Sequence, residues 1–257
     1  MARRLTMAAA ALMAAVASSA AAQTAAVQPV EVELHVHRGR LFVPIEADDS
    51  TSMEFLLGTG WPTGLTASTA TRLGDDPELT LGGIAIPPDE LSTYPDSMLT
   101  IDGTTLAGVV GPNTLSRFDV LIDVPGGRLV LKPTARVVEW EGMTLSEPID
   151  LRIMHGVEVW LSVELDGNAY QAILDLGTPT VVANQRVQAD TGLDDDDRTT
   201  LRFGDTTLTD VPVFMRELDL GGFTVGSGGF VIIGAPIVYD CALALSWAHQ
   251  EMRMCVR

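Results

Sequence analysis

The sequence predicts an all-β protein made of one motif used twice, and three observations carry that prediction. The stretch Phe55-Leu56-Leu57-Gly58-Thr59-Gly60 recurs as Ala172-Ile173-Leu174-Asp175-Leu176-Gly177, at a constant offset of 117 residues. A repeat of that kind sets the whole fold, since each copy must bury its apolar face against a neighbour. Valine, leucine, threonine and glycine abound while aromatics make up only 5%, a mixture that suits short strands joined by tight turns. Beyond residue 25 no apolar stripe sustains a helical period, so an all-β chain is expected rather than an α/β one.

Taken in chain order, the first element is a leader. Met1-Ala2-Arg3-Arg4, the largely apolar run 5–16 and the small residues Ala20-Ala21-Ala22 before Gln23 read as the successive parts of a secretory signal peptide over 1–22. No cysteine follows directly, which argues against a lipidated N-terminus, and no later stretch is long and apolar enough to span a bilayer. The expected location is periplasmic or secreted, with no membrane attachment after cleavage.

The first lobe is expected over 30–135. Its match to the second copy holds without a gap from Gly39 against Gly156, through Asp49-Ser50 against Asp166-Gly167, to Pro62-Thr63 against Pro179-Thr180. Each copy continues to a second apolar run closed by glycine, Val109-Val110-Gly111 and Ile232-Ile233-Gly234, and then to an extended hairpin over 118–131 and 239–256. The lobes meet near 133–147, which gives the second lobe 136–257. With 46% hydrophobic residues, two lobes of about 110 residues each have core enough to fold.

Two apolar strands that end in Gly58-Thr59-Gly60 and Asp175-Leu176-Gly177, each paired with a later apolar-apolar-Gly, resemble the aspartic peptidases. The likeness is to the retropepsin-like bacterial branch in a two-lobed arrangement, and it covers about residues 30–257. Gly111-Pro112-Asn113-Thr114-Leu115-Ser116-Arg117-Phe118-Asp119-Val120 is similar to the short helix and strand that follow the glycine in that family. The resemblance implies a bilobal pepsin-like acid-protease fold made of two retropepsin-like repeats, with its site on the cleft floor between them. It also puts a flap at 79–105, where Tyr94 reads either as the flap aromatic or as an ordinary hairpin residue.

Such a peptidase works with two carboxylates, one per lobe, too close for both to ionise, so that they share one proton. One takes a proton from the attacking water while the other donates to the substrate carbonyl. Carried over residue by residue, the second motif keeps the carboxylate as Asp175, the close-approach glycine as Gly177 and a hydroxyl as Thr178. It has Leu176 where the family has a threonine that ties the two loops together. The first motif keeps that threonine as Thr59 and the glycine as Gly60, but carries Gly58 in place of the carboxylate and Trp61 in place of the following hydroxyl. A lone aspartate has no partner to split its titration, so it cannot supply base and acid at one pH. Asp175 then reads as a retained ligand-binding group or a turn aspartate left by ancestry, and Trp61 as a stacking surface or a space-filler.

Charge narrows the partners. The net charge is -18, moving to -20 without 1–22, and the only lysine is Lys132, a balance that argues against nucleic acid and anionic lipid. No cofactor is implied, and no metal either. Asp194-Asp195-Asp196-Asp197 lacks the spaced ligands and turn glycine of a calcium loop, while His35 and His37 share a strand face with no third ligand at a recognisable spacing. His155 and His249 fall near predicted turns. The glycines within 220–229 lack the lysine and strand-to-helix setting of a phosphate loop, and read as a hairpin or a loop over the cleft.

Three functions stay open. One is a pseudopeptidase that accepts an extended peptide or protein segment in the interlobe cleft by strand addition. Another is an active aspartic endopeptidase in which Asp175 finds a second carboxylate, in a homodimer or from another acid. The third is a structural or assembly scaffold. Separately, Cys241 and Cys255 lie seven residues either side of position 248 on the two arms of the last hairpin, and in an exported chain they are expected to join.

Overall fold

The computed structural model describes residues 28–47, 51–134, 140–218 and 228–255. The signal peptide expected over 1–22, Asp49-Ser50 of the repeat, 135–139 of the expected lobe boundary and most of the glycine run lie outside the described residues. Strands make up 50% of the structure and helices 14%. The all-β class follows from period-two burial: in Glu158–Leu165 the side chains of Val159, Leu161, Val163 and Leu165 turn inward while their neighbours turn out.

The sequence repeat is a repeat of strand order. In the first half Arg40–Ala47 pairs antiparallel with Ser52–Leu57, which pairs in parallel with Gly108–Val110. That strand pairs antiparallel with Gly64–Thr66, which in turn pairs in parallel with Ser92–Tyr94. In the second half Glu158–Leu165, Asn168–Leu174, Phe230–Ile233, Val181–Ala183 and Thr206–Met215 follow one another with the same alternation of senses.

The halves differ in closure. Asp197–Phe203 pairs with both Thr206–Met215 and Glu158–Leu165, which closes the second sheet into a barrel. In the first half Leu79–Leu81 pairs with Arg40–Ala47, but its hairpin partner Ile84–Ile86 ends the sheet, leaving a half-barrel. Pro87 and Pro88 are the physical reason. Neither has an N–H to give a ladder, and the chain turns there into the short 3-10 helix Pro88–Glu90 before Ser92–Tyr94 begins. The second half runs one ten-residue strand, Thr206–Met215, across the same ground.

A third sheet joins the halves, in the order Val30–Glu33, Arg128–Pro133, Phe118–Asp123, Leu243–Ser246, Glu251–Met254, Ile149–Asp150. At its central seam Val120 faces Leu245 and Leu121 faces Ala244, and the buried Ser246 hydroxyl donates to Asp119 Oδ1 at 2.6 Å. Leu121, Val130, Trp140, Ala242 and Ala244 form a separate apolar cluster there. Cys241 and Cys255 form a disulfide, Cα to Cα 5.5 Å, just outside the last ladder pair Leu243 and Met254. Two helices that periodicity does not announce, Ala67–Leu73 and Gln185–Thr191, occupy corresponding places after Gly64–Thr66 and Val181–Ala183. At seven residues each they are too short to present a repeating stripe.

Candidate functional site

Gly58 and Asp175 hold equivalent positions at the ends of matching strands. The Gly58 N–H donates to the Val110 carbonyl at 3.0 Å and the Asp175 N–H to the Ile233 carbonyl at 2.9 Å, so each loop springs from a buried parallel pair. The two loops meet. A Cβ on Gly58 would lie 3.9 Å from Asp175 Oδ1 and 3.8 Å from the Gly177 Cα, and one on Gly177 only 3.5 Å from the Gly58 Cα. At Gly60 a Cβ would stand 2.6 Å from Asp175 Cγ, which no side chain tolerates. Gly111 and Gly234 seat the loops from behind: a Cβ at either would come within 2.0 Å of a backbone carbonyl, of Trp61 and of Thr180 respectively.

One side chain bridges the loops. The buried Thr59 hydroxyl donates to the Leu174 carbonyl at 2.7 Å and accepts from the Leu176 N–H at 3.1 Å. Leu176 itself is fully buried in the apolar core, and its N–H is the group that meets Thr59. With leucine at 176, no second hydroxyl stands opposite Thr59 to make a matching grip.

Asp175 is 7% exposed. Its Oδ1 accepts from the Gly177 N–H and its Oδ2 from the Thr178 hydroxyl, both at 3.0 Å. The Gly60 N–H and the Trp61 indole add weaker donation from the other half. Burial dominates all the same: desolvation pushes the carboxyl above its ordinary value of 3.8, and these donors only partly oppose it. Among the described residues, the groups acting on Asp175 are Thr178, Gly177, Gly60 and Trp61, none of them an acid.

Trp61 is 37% exposed and meets Tyr94 edge-on, with centroids 5.7 Å apart and planes at 68°. Tyr94 is buried at the edge of the first sheet, in Ser92–Tyr94, and its hydroxyl donates to the Pro62 carbonyl at 2.7 Å. Sequence reading missed the residues that hold this loop. Asn113 accepts the Thr63 N–H at 2.6 Å and donates to the Glu90 carbonyl at 2.9 Å, and the Thr63 and Thr114 hydroxyls pair at 2.7 Å in full burial. The one available signal was Gly111-Pro112-Asn113-Thr114 set against the apolar Gly234-Ala235-Pro236-Ile237.

The remaining candidates fall elsewhere. His35 sits between Glu33 at 3.0 Å and Glu54 at 2.8 Å, and hydrogen bonding to Glu54 and then Glu33 raises its pKa. Among the described residues no group of three His, Cys, Asp or Glu side chains could hold a metal ion. Asp195 is bound by Arg216, and Asp197 accepts the Asp194 N–H. No helix of the described residues is long and apolar enough to cross a membrane. No protein-family model matches the chain, and no curated protein matches it.

Proposed function

We propose that the chain is an exported, pepsin-like member of the aspartic-peptidase superfamily in which the reaction has been lost, and that it binds an extended peptide or protein segment in the cleft between its halves. The observation that carries this reading is the setting of Asp175. Hydrolysis requires a base to deprotonate water and an acid to protonate the carbonyl in one arrangement, and at this junction Gly58 offers no side chain. Asp175 is also engaged: both its oxygens accept hydrogen bonds from its own loop, and burial disfavours its charged form. The repeated strand order, the Thr59 grip and the close approach at Gly60 support the family assignment. Strand addition is the mode by which such a β frame takes an extended ligand.

The test is peptide cleavage. Purified protein should give no pepstatin-sensitive hydrolysis of a peptide library between about pH 3 and 7, because among the described residues no second carboxylate acts on Asp175. Cleavage that disappears in Asp175→Asn would establish a working peptidase and overturn the proposal.

A further inference from the structure

The chemistry of the ligand follows from Trp61, and rests on the reading that the cleft holds an extended segment. Among the described residues four large apolar side chains are exposed, Val36, Trp61, Met98 and Met154, and of these Trp61 follows Gly60, whose backbone packs against the Asp175 side chain. Its loop is fixed on several sides. The Trp61 carbonyl packs on Gly111, the Pro62 carbonyl accepts from Tyr94, and the Thr63 N–H is held by Asn113. An aromatic ring carried on a backbone held in this way, and set against Tyr94, costs a ligand little ordering entropy to use.

The surface the ring offers is specific. Tyr94 meets it at 68° and so covers at most one face. The ring is 37% exposed, which leaves π surface open to solvent. Such a face takes an apolar group or a cation. The net charge of -18 decides between them, since the field of the whole molecule draws in cations and repels acidic segments. Arginine fits better than lysine because its planar guanidinium stacks on an aromatic ring. We infer that the ligand is a basic extended segment that lays an arginine side chain on the exposed face of Trp61.

Fluorescence anisotropy with three labelled peptides of equal length tests this: one with alternating arginines, one with citrulline at the same places and one with leucine. The arginine peptide should bind tightest and weaken with added salt. Trp61→Leu, which keeps apolar bulk without a π face, should lower its affinity roughly five- to thirty-fold, while Trp61→Phe should retain most of it. If citrulline or leucine serves as well, or Trp61→Leu binds like the wild type, the arginine assignment is wrong and the cleft remains a peptide site. If none of the three peptides binds, the peptide-cleft reading fails and takes this inference with it.

Discussion

Asp175 is a carboxyl whose protonation the fold favours. Because burial holds its pKa above 3.8, its contribution to stability is complete below that value and is lost as pH rises through the raised folded value. Asp175→Asn removes this titration while keeping an acceptor for Gly177. The stability of the wild type relative to the variant should therefore fall as pH rises from acid to neutral, as read from paired denaturant titrations; a difference that stays flat would show that Asp175 is not held toward its neutral form. The neighbouring glycines set a steric contrast. Gly60→Ala must drive a methyl into Asp175, and should cost about 1–3 kcal/mol or more by the usual penalty for overpacking. At Gly58 an added Cβ meets only ordinary contacts of 3.4 to 3.9 Å, so Gly58→Ala should fold with little loss. Equal melting temperatures for the two variants would contradict the loop packing. The exchange of roles between Gly58 and Asp175, and between Thr59 and Leu176, was legible because the repeat aligns them without a gap. The contact of Trp61 with Tyr94 was not, since no local pattern links a loop residue to a strand that pairs with the next element.

Elements were legible in proportion to their length and alternation. Long strands such as Glu158–Leu165 announce themselves by period two, whereas three-residue strands such as Gly64–Thr66 and the seven-residue helices do not. Pro87-Pro88 was visible in the sequence, but its consequence, an open edge at Ile84–Ile86, shows only by comparison with the uninterrupted strand Thr206–Met215 of the other half. The disulfide was the most local inference and is present as expected, because hairpin register alone brings Cys241 and Cys255 to the same end of the ladder. With a sequence separation of 14, loop entropy gives it roughly 3 kcal/mol of stabilisation. Replacing both cysteines by serine should lower the denaturation free energy by about that much. An unchanged midpoint would mean that the hairpin's pairing with Phe118–Asp123 and Ile149–Asp150 already holds it closed.

At the scale of the molecule, the repeat told that two similar halves exist but not what joins them. Nothing in a strand of alternating Val, Leu and Ile specifies that its edge partner comes from a hairpin more than a hundred residues away. The joining sheet takes Val30–Glu33, Arg128–Pro133 and Phe118–Asp123 from the first half, and Leu243–Ser246, Glu251–Met254 and Ile149–Asp150 from the second. Separating the halves by cutting within 135–139 would thus expose two long edges, Phe118–Asp123 with Val120, Leu121 and Ile122, and Leu243–Ser246 with Leu245, all buried in the intact chain. Unpaired apolar edges of this kind promote aggregation. It would also split the hydrogen bond from Ser246 to Asp119 and the grip of Thr59 on Leu174 and Leu176. Each half expressed alone should accumulate as oligomers in size-exclusion chromatography, while the two refolded together should give a one-to-one complex with the circular dichroism of the intact chain. A half that is monomeric and unfolds cooperatively on its own would show that the joining sheet is a docking surface between independent domains. Continuous pairing from Val30–Glu33 to Ile149–Asp150, through the seam of Phe118–Asp123 with Leu243–Ser246, argues instead for a single folding unit.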